Sequence, residues 1–428
     1  MLFKNITLLN EEYKIIPNSY IGIVGNKIEY IGTSKPSKDY GYEYDGRNKL
    51  LMPGFVNSHG HSPMTLLRGY GENLGLQDWL NKKVFPFEDK LTGESVYYGT
   101  LLAMAESIRY GIVSTTDMYY FSEAMAKAIG ESGTKNNISR SITNFADEDL
   151  DNMESAKEMK WAYENLNGTC DGRIIVDMSL HAEYTSTPKT VKQLADYTKK
   201  IGANMHVHLS ETKFEHEECK KKYGMTPTEY LNHYGLFDTK TTAAHCVHLE
   251  EEDFKILKEK GVTVACNPIS NLKLASGICN VPKLLKQGIN VTIGTDSVAS
   301  NNSLNFIEEM KMFAIAPKMM FNSPEAVTPI ETIKAATING AVAQGRYDTG
   351  IIKEGYKADL IVIDISGPNM HPIHNLANNV VYSASSNDVV LTMVDGKVLY
   401  ENGEYKTIDI EKVIYNVEKI TKDIINSL

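Results

Sequence analysis

A regular alternation in the middle of the chain constrains the fold most strongly. Eight strand-like apolar runs alternate there with segments whose apolar residues recur at helical spacing. The runs cover residues 51–57, 111–118, 138–145, 173–180, 204–209, 241–245, 261–266 and 290–295. Eight strands separated by helices over roughly 300 residues are typical of a (β/α)8 TIM barrel, a parallel α/β fold.

Two of the helical segments carry clear start and stop signals. One begins after Thr92, a favourable N-cap, and ends at Gly111. Another begins with a capping box formed by Thr328 and Glu331, and ends at Gly345. These signals support helices between the strands.

Both ends of the chain show a different pattern, in which short strands are joined by tight turns. Gly25-Asn26 divides two apolar runs, and Asp395-Gly396 does the same near the other end. We therefore predict a small β-sandwich domain made discontinuously from residues 1–50 and 349–428, with a final helix from about residue 410. Residues 51–348 would form the barrel domain.

Composition excludes several classes of protein. The formal net charge of −10 provides no basic surface for nucleic acid or anionic lipid, and no apolar run reaches the length of a membrane span. The start, MLFKNITLLNEEYK, lacks the pattern of a signal peptide. The five cysteines form no CxxC pair, so we expect reduced thiols and a cytoplasmic location.

The stretch PGFVNSHGHSP places two histidines, His59 and His61, directly after the first run. Alternate residues of a strand point to the same side, so both imidazoles should project together from its carboxyl end. In TIM barrels, that end of the strands carries the active site. By itself the pair is equally compatible with a solvated loop.

Other metal-competent side chains stand at the ends of three further strands. They are His206, His208 and Glu211 after strand 5, His245 and His248 after strand 6, and Asp296 after strand 8. Parallel strands of a barrel bring these ends together. Neutral imidazoles with a carboxylate suit Zn²⁺ or Fe²⁺, so the pattern predicts a metal site at the barrel mouth.

The segments PGFVNSHGHSPMTLLRG, HVHLSET, AAHCVHL and GTDSVASNNSLN resemble the amidohydrolase superfamily. Within it they are most similar to the 5-methylthioadenosine/S-adenosylhomocysteine deaminases and related chlorohydrolase-like enzymes. The resemblance covers essentially the whole chain, including GIIKEGYKADLIVID near its end.

The resemblance implies a ligand set and a single ion. The implied ligands of one divalent metal, zinc first and iron second, are His59, His61, His208 and Asp296. Some binuclear relatives bridge two metals with a carboxylated lysine on strand 4, and residues 173–184 contain no lysine. We interpret His206 as a hydrogen-bonded core residue and His248 as a loop residue. The remaining histidines, His216, His233, His371 and His374, are predicted to lie at the surface.

The implied reaction is hydrolytic deamination of an adenine nucleoside such as 5-methylthioadenosine, S-adenosylhomocysteine, 5′-deoxyadenosine or adenosine, with release of ammonia. A metal lowers the pKa of water towards about 7 and so supplies hydroxide. Glu211 would carry a proton to the ring nitrogen. His245 would orient the hydroxide, and Asp296 would take the water proton and pass it to ammonia. The alternative for Glu211 is an N-cap or a surface carboxylate in the loop.

Three further residues match nucleoside-contacting positions of the family. Trp79 would pack on the substrate, Glu88 would accept ribose hydroxyls, and His181 would bond the base edge. The alternatives, which we favour less, are that Trp79 belongs to the ordinary core and that Glu88 is a solvated charge.

One departure from the family concerns the substrate's carboxylate. Family members that act on S-adenosylhomocysteine place arginines after strand 3, whereas residues 141–172 contain none and Phe145 stands at one such position. The carboxylates in that stretch include Asp147, Glu148, Asp149, Asp151, Glu154 and Glu158. S-Adenosylhomocysteine is therefore not expected to be the best substrate.

Two alternatives stay open from the sequence. The enzyme alternative acts on another heterocycle, such as a guanine-, pterin- or triazine-like ring. The non-enzyme alternative is a barrel that binds a metal or ligand without turnover. For either enzyme we expect a homo-oligomer, and no nucleic-acid or membrane partner.

Overall fold

Strands occupy both ends of the chain and alternate with helices between them. The structure is a computed structural model that describes the backbone of residues 1–428 and the side chains of all of them except residues 76 and 77. The strands are β1 (Leu2–Leu9), β2 (Ile15–Val24), β3 (Lys27–Gly32), β4 (Glu43–Asp45), β5 (Lys49–Pro53), β6 (Phe55–Gly60), β7 (Ile112–Met118), β8 (Lys135–Ser139), β9 (Ser141–Ile142), β10 (Ile174–Val176), β11 (Met178–Leu180), β12 (Met205–Leu209), β13 (Thr241–His245), β14 (Thr263–Cys266), β15 (Val291–Ile293), β16 (Leu360–Asp364), β17 (Val389–Val394), β18 (Lys397–Glu401) and β19 (Glu404–Tyr405).

Helices lie mainly between the parallel strands. They are α1 (Leu76–Trp79), α2 (Phe85–Glu88), α3 (Gly93–Arg109), α4 (Ser122–Ser132), α5 (Glu154–Leu166), α6 (Thr169–Gly172), α7 (Pro188–Ile201), α8 (Lys213–Tyr223), α9 (Pro227–His233), α10 (Glu251–Glu259), α11 (Pro268–Lys273), α12 (Val281–Lys286), α13 (Phe306–Met320), α14 (Pro329–Ala336), α15 (Ile338–Ala343), α16 (Leu376–Tyr382) and α17 (Ile410–Ser427). A π-helical turn, Leu80–Val84, joins α1 to α2.

The central strands pair in parallel and in chain order, as the alternation predicts. One sheet has the order β10-β8-β7-β6, and another has the order β15-β14-β13-β12-β11-β9. The two sheets share the third and fourth predicted strands, because β8 pairs with β10 while β9 pairs with β11. A parallel bridge between Gly60 and Asp296 joins the ends of the first and last strands. The carboxyl ends therefore meet at one face.

The third and fourth predicted strands are each interrupted near the middle. β8 is separated from β9 at Arg140, and β10 is separated from β11 at Asp177. Asp177 is buried, and its carboxylate accepts hydrogen bonds from Asn137 and Asn204, both at 2.9 Å. The interruption thus lets an acidic side chain find amide partners inside the core.

The terminal strands form one nine-stranded sheet, with the order β19-β18-β17-β16-β5-β1-β2-β3 and with β4 beside β1. Strands from both ends of the chain meet where β16 pairs antiparallel with β5. A separate apolar core lies on this sheet and includes Phe3, Ile21, Leu51 and Val362.

The prediction of one strand over residues 51–57 is wrong. β5 ends at Pro53 and belongs to the nine-stranded sheet, whereas β6 begins the parallel strands at Phe55. Gly54 lies between the two strands. The position requires glycine, because a Cβ there would come within 2.2 Å of Val113 Cγ1. This close approach packs the terminal sheet directly against the second parallel strand.

The C-terminal helices pack on the larger core. α17 contacts α3, and its buried residues Val413, Val417 and Ile424 belong to the main apolar cluster. None of the helices among the described residues is both long and apolar enough to cross a membrane. All five cysteines are free thiols.

Candidate metal centre and active site

Three histidines and one aspartate converge at the carboxyl ends of the parallel strands. His59 Nε2 lies 3.6 Å and His61 Nε2 lies 3.4 Å from Asp296 Oδ1, and His208 Nε2 lies 3.4 Å from His61 Nε2. His59, His208 and Asp296 are buried, and His61 is nearly so. The structure therefore brings together all four side chains that the resemblance implies as ligands.

The other nitrogen of each imidazole is occupied by the protein. His61 Nδ1 lies 2.7 Å from the Met118 carbonyl, and His208 Nδ1 lies 2.7 Å from the His181 carbonyl. A carbonyl accepts only, so Nδ1 carries the proton in both rings, and both Nε2 lone pairs face the centre. Two such acceptors 3.4 Å apart require a cation or a proton between them.

His59 and His206 form the floor of the centre. His59 Nδ1 hydrogen-bonds His206 Nε2 at 2.8 Å, and the two rings are stacked with centroids 5.1 Å apart. His206 is buried, in agreement with its interpretation as a core residue. Among the described residues, His59 Nε2 has no hydrogen-bond partner although it is buried. This orphan nitrogen and the donor set fit one divalent metal of the zinc type.

Burial and charge keep this donor set ready for a cation. Burial lowers the pKa of His59 to about 3 and holds the pKa of His208 well below its usual range, so both rings are neutral at pH 7. Burial alone would raise the pKa of Asp296, but His59 and His61 hold it well below its usual range. Neutral imidazoles and an ionised carboxylate are the forms that ligate metals.

Asp296 is fixed by its backbone and by serine donors. Its φ of +58° is left-handed, a strained conformation for a residue other than glycine. Ser297 N donates to Oδ1 at 2.8 Å, and Ser270 Oγ donates to Oδ2 at 2.6 Å. The carboxylate is therefore oriented before any ligand arrives.

Glu211 lies beside the cluster, and His245 forms a second metal-competent group with His59 and His208. Glu211 Oε2 is 3.7 Å from His245 Nε2, and Ser276 Oγ donates to Glu211 Oε1 at 3.2 Å. Burial raises the pKa of Glu211, which favours its protonated form relative to an exposed glutamate. Glu211 is not one of the side chains in the metal-competent groups.

His245 is held by two asparagine side chains that the sequence analysis did not single out. Asn271 Nδ2 lies 2.9 Å and Asn267 Nδ2 lies 3.2 Å from His245 Nδ1. Amide donors on both sides make Nδ1 an acceptor, so Nε2 carries the proton and faces the centre as a donor. The sequence signal for these two asparagines was the NPISN segment, a polar cluster that follows the buried strand β14.

A cavity of about 610 Å³ opens over the cluster. Trp79, Glu88 and His181 all line it, together with Glu211, His245 and Asp296. Glu88 is half-buried where it lines the cavity, and burial raises the pKa of its carboxyl, which favours the functional interpretation over a fully solvated charge.

Two tyrosines orient Glu88. The Tyr119 hydroxyl donates to Glu88 Oε1 at 2.7 Å, and the Tyr120 hydroxyl approaches Oε2 at 3.3 Å. The adjacent tyrosines directly follow strand β7, and the DMYY sequence of residues 117–120 was the available signal. On the opposite wall, His181 Nδ1 contacts Thr185 Oγ1 at 3.1 Å, and burial lowers the pKa of His181 to about 4.

Arg140, which directly precedes the arginine-free residues 141–172, also reaches the cavity. Arg140 lines the wall, lies 4.6 Å above the Tyr120 ring, and donates from Nε to Glu158 Oε2 at 2.8 Å. Of the carboxylates in residues 141–172, Glu158 is the one among the cavity-lining residues. Phe145 lines the rim and is 78% exposed.

The remaining histidines fall outside the centre. His248 Nε2 bonds the Ser276 carbonyl at 2.8 Å, in agreement with a loop residue. His233, His371 and His374 are exposed. The surface prediction for His216 is wrong, because it lies on the buried side of α8 and its Nε2 contacts Glu250 Oε1 at 3.1 Å.

Comparison with known proteins shows the family. Residues 50–399 match the amidohydrolase family. The chain belongs to the amidohydrolase family. Among its relatives is the 5-methylthioadenosine/S-adenosylhomocysteine deaminase of Thermoanaerobacter pseudethanolicus, which is 42% identical over 428 residues and is covered, like this chain, to 99%.

Two further similarities reach the same extent. The 5′-deoxyadenosine deaminase of Methanocaldococcus jannaschii is 40% identical over 424 residues, which cover 98% of each chain. The crystal structure of an adenosine deaminase from Xanthomonas campestris with bound zinc superposes with a TM-score of 0.92 at 29% identity, covering 99% of this chain and 98% of that one. The amidohydrolase fold thus extends over essentially the whole chain.

Proposed function

We propose that this amidohydrolase is a metal-dependent hydrolytic deaminase of an adenine nucleoside. It would convert the 6-amino group of the purine into a carbonyl, consuming water and releasing ammonia. The observation that carries the proposal is the cluster of His59, His61, His208 and Asp296 at the floor of a cavity that also holds Glu211 and His245. The deaminase names of full-length relatives support the same chemistry.

The four ligands would hold one divalent ion, with zinc preferred and iron as the alternative. Such an ion supplies Lewis acidity, which brings the pKa of a water molecule down to about 7. Zinc in the similar adenosine deaminase structure supports this choice. The chain itself fixes each imidazole through a second hydrogen bond, and such partners orient and strengthen ligands.

The proton transfers fall to three side chains. Asp296 accepts a proton from the attacking water and returns it to the departing amine. Glu211 donates a proton to the ring nitrogen next to the attacked carbon, a role that its raised pKa supports. His245 orients the water through Nε2–H, because its Nδ1 is occupied by asparagine amides.

The cavity walls would recognise the nucleoside. Trp79 packs on the substrate, and the Glu88 carboxyl accepts ribose hydroxyls in a geometry set by Tyr119 and Tyr120. His181 bonds the base edge through Nε2, since Nδ1 contacts Thr185. The cavity volume of about 610 Å³ lies within the usual range for small-molecule sites.

The preferred substrates would carry a neutral 5′ group, as in 5-methylthioadenosine, 5′-deoxyadenosine or adenosine. Arg140 is the cation on the cavity wall that lies nearest in the chain to the positions where relatives place arginines for the substrate's carboxylate. It already forms an ion pair with Glu158, with Nε 2.8 Å from Oε2. A substrate carboxylate would have to displace that partner. A neutral 5′ group requires no such exchange.

We also propose how the barrel closes, how the terminal domain is built and how the chains associate. We infer that the bridge between Gly60 and Asp296 closes the eight parallel strands into a (β/α)8 barrel. The nine-stranded sheet would fold over its own core as the predicted β-sandwich domain from residues 1–50 and 349–428. The homo-oligomer also stays a prediction, which analytical ultracentrifugation would test.

The test is turnover by the zinc-loaded protein on a panel of compounds. Adenosine, 5′-deoxyadenosine, 5-methylthioadenosine and S-adenosylhomocysteine would be compared with guanine, a pterin and a chlorotriazine. We expect ammonia release and an inosine-type product from the adenine nucleosides. Turnover confined to another heterocycle would favour the second enzyme class, and a loaded but inactive protein would favour a binding protein.

A further inference from the structure

The turn between His208 and Glu211 has an unusual backbone. β12 ends at Leu209, and Ser210 then adopts a left-handed φ of +48°. This conformation is strained for a residue other than glycine and persists only when its surroundings hold it. The turn matters because it sends the Glu211 side chain back towards the cluster that contains His208.

A buried carboxylate, Glu215, holds this turn. Ser210 N donates to Glu215 Oε1 at 2.8 Å, Glu211 N donates to Oε2 at 2.8 Å, and Thr212 N donates to Oε2 at 3.3 Å. Glu215 is 5% exposed and has no role in the proposed reaction. Three successive backbone N–H groups thus bind one buried carboxylate.

Ordinary helix capping explains only part of this arrangement. Thr212 and Glu215 form a capping box at the start of α8, as Thr226 and Glu229 do at α9. In the α9 box, Glu229 accepts the N–H of its N-cap residue Thr226 at 2.8 Å. Glu215 additionally reaches the two residues before its N-cap, and one of those residues is Glu211.

The same turn is also tied to the loop that follows His245. The Ser210 carbonyl accepts hydrogen bonds from Val247 N at 3.1 Å and from His248 N at 3.0 Å. The position of the Ser210–Thr212 turn therefore affects Glu211 and His245 together, whose side chains lie 3.7 Å apart.

A second buried acid, Glu183, lies against Glu215. Glu183 is 2% exposed and begins the 3-10 turn that follows His181. Burial, and then the charge of Glu215, raise the pKa of Glu183 well above its usual range. Its Oε2 has no hydrogen-bond partner among the described residues, in keeping with a neutral acid rather than a carboxylate. The 3-10 turn that Glu183 begins contacts α8, and a neutral Glu183 is the donor in the side-chain hydrogen bond to Glu215.

We propose that Glu215 and Glu183 are paired positioning residues for the proton shuttle. Glu215 fixes the Ser210–Thr212 turn so that Glu211 faces the metal centre, and Glu183 ties that carboxylate to the loop that carries His181. The part of this inference that concerns a proton shuttle rests on the proposed deaminase function. The part that concerns the conformation of the Ser210–Thr212 turn is independent of that function.

Glu215→Gln is the direct test, with Glu229→Gln as the matched control. Glutamine keeps the size but presents an NH₂ group to one of the backbone N–H donors. With the best nucleoside substrate, we expect kcat to fall by at least about tenfold, while KM and the zinc content stay within about twofold. The control removes the same kind of cap at α9 and should keep the wild-type kcat.

Glu183 provides the conservative rescue. Glu183→Gln retains a donor towards Glu215 and should keep kcat within about threefold, whereas Glu183→Leu removes the donor and should lower kcat by about tenfold. Equal kcat values in the two variants would overturn the role of Glu183. This pair also tests the idea if Glu215→Gln does not fold.

Hydrogen exchange separates this inference from the proposed function. Exchange of the amides of residues 210–212 should be faster in Glu215→Gln than in wild type or Glu229→Gln, whether or not the protein deaminates anything. Unchanged exchange would overturn the positioning role, as would faster exchange with an unchanged kcat. A wild-type protein without turnover would refute the deaminase proposal and leave the exchange result to decide whether Glu215 holds the turn.

Discussion

His61 Nε2 and His208 Nε2 lie 3.4 Å apart, and in their neutral forms neither ring can donate to the other. Their Nδ1 atoms are each 2.7 Å from a backbone carbonyl, of Met118 and His181, so each ring presents a lone pair to the same point. Such an arrangement is stable only with a positive charge between the rings. The metal prediction follows from this geometry.

We predict one tightly held divalent ion per chain, and loss of thermal stability on its removal. The four ligands form a single cluster, and β10 and β11 contain no lysine that would bridge a second ion. Elemental analysis of the loaded protein and melting with and without a chelator check this. Two tightly held ions per chain would contradict it.

Glu211→Gln should retain the metal and lose turnover. Glu211 faces His245 at 3.7 Å but lies outside the metal-competent groups, so its loss removes proton transfer rather than a ligand. General acid–base catalysis contributes about 10²–10⁴-fold, which sets the expected fall in kcat. Zinc content is the control, and near-normal turnover would remove the assigned role.

Glu88→Ala should weaken the use of nucleosides more than the use of free bases. The carboxyl held by Tyr119 and Tyr120 would otherwise accept ribose hydroxyls. Loss of such bonds should lower kcat/KM for a nucleoside by roughly tenfold or more. Tyr120→Phe, which removes only the longer contact, should have a smaller effect. An equal loss for adenine and adenosine would argue against a ribose contact.

S-Adenosylhomocysteine should be a poorer substrate than 5-methylthioadenosine, and Glu158→Gln should narrow the difference. The substitution removes the carboxylate that neutralises Arg140 and so frees a cation for the substrate's acid. Glu154→Gln is the matched control, since Glu154 pairs with Lys157 and is not among the cavity-lining residues. The measurement is kcat/KM for both nucleosides with the wild type and the two variants. A wild-type preference for S-adenosylhomocysteine would contradict the prediction, because it would show that the protein already binds the substrate's carboxylate.

Glu309 makes stability depend on pH. Burial raises its pKa to about 8, whereas the unfolded chain releases that proton near 4.5. The folded state therefore binds more protons between these values, and the free energy of unfolding falls as pH rises through this window. Glu309→Gln removes this pH-dependent loss of stability. The difference between the Tm of the variant and the Tm of the wild type should therefore increase from pH 5 to pH 8. The exposed neighbour Glu308→Gln should show no such trend.

The sequence by itself determined the order of the parallel strands and the placement of His59 and His61 together at the end of the first one. Both rest on periodicity: strands alternating with helices bring the carboxyl ends of parallel strands together, and His59 and His61 two residues apart project to one side. Such local rules needed no knowledge of distant contacts. The same rules failed at residues 51–57, where the close approach of Gly54 to Val113 divides one apolar run between two sheets.

Tertiary structure alone decided how the side chains around the centre are partnered. Arg140 is neutralised by Glu158 from α5, the Glu88 carboxyl is held by tyrosines from the end of β7, and His216 is buried beside Glu250. These pairings join residues 18 to 34 positions apart in the chain. A carboxylate and its partner are chosen by proximity in a buried site, where an unpaired charge is costly, and sequence spacing does not encode that proximity.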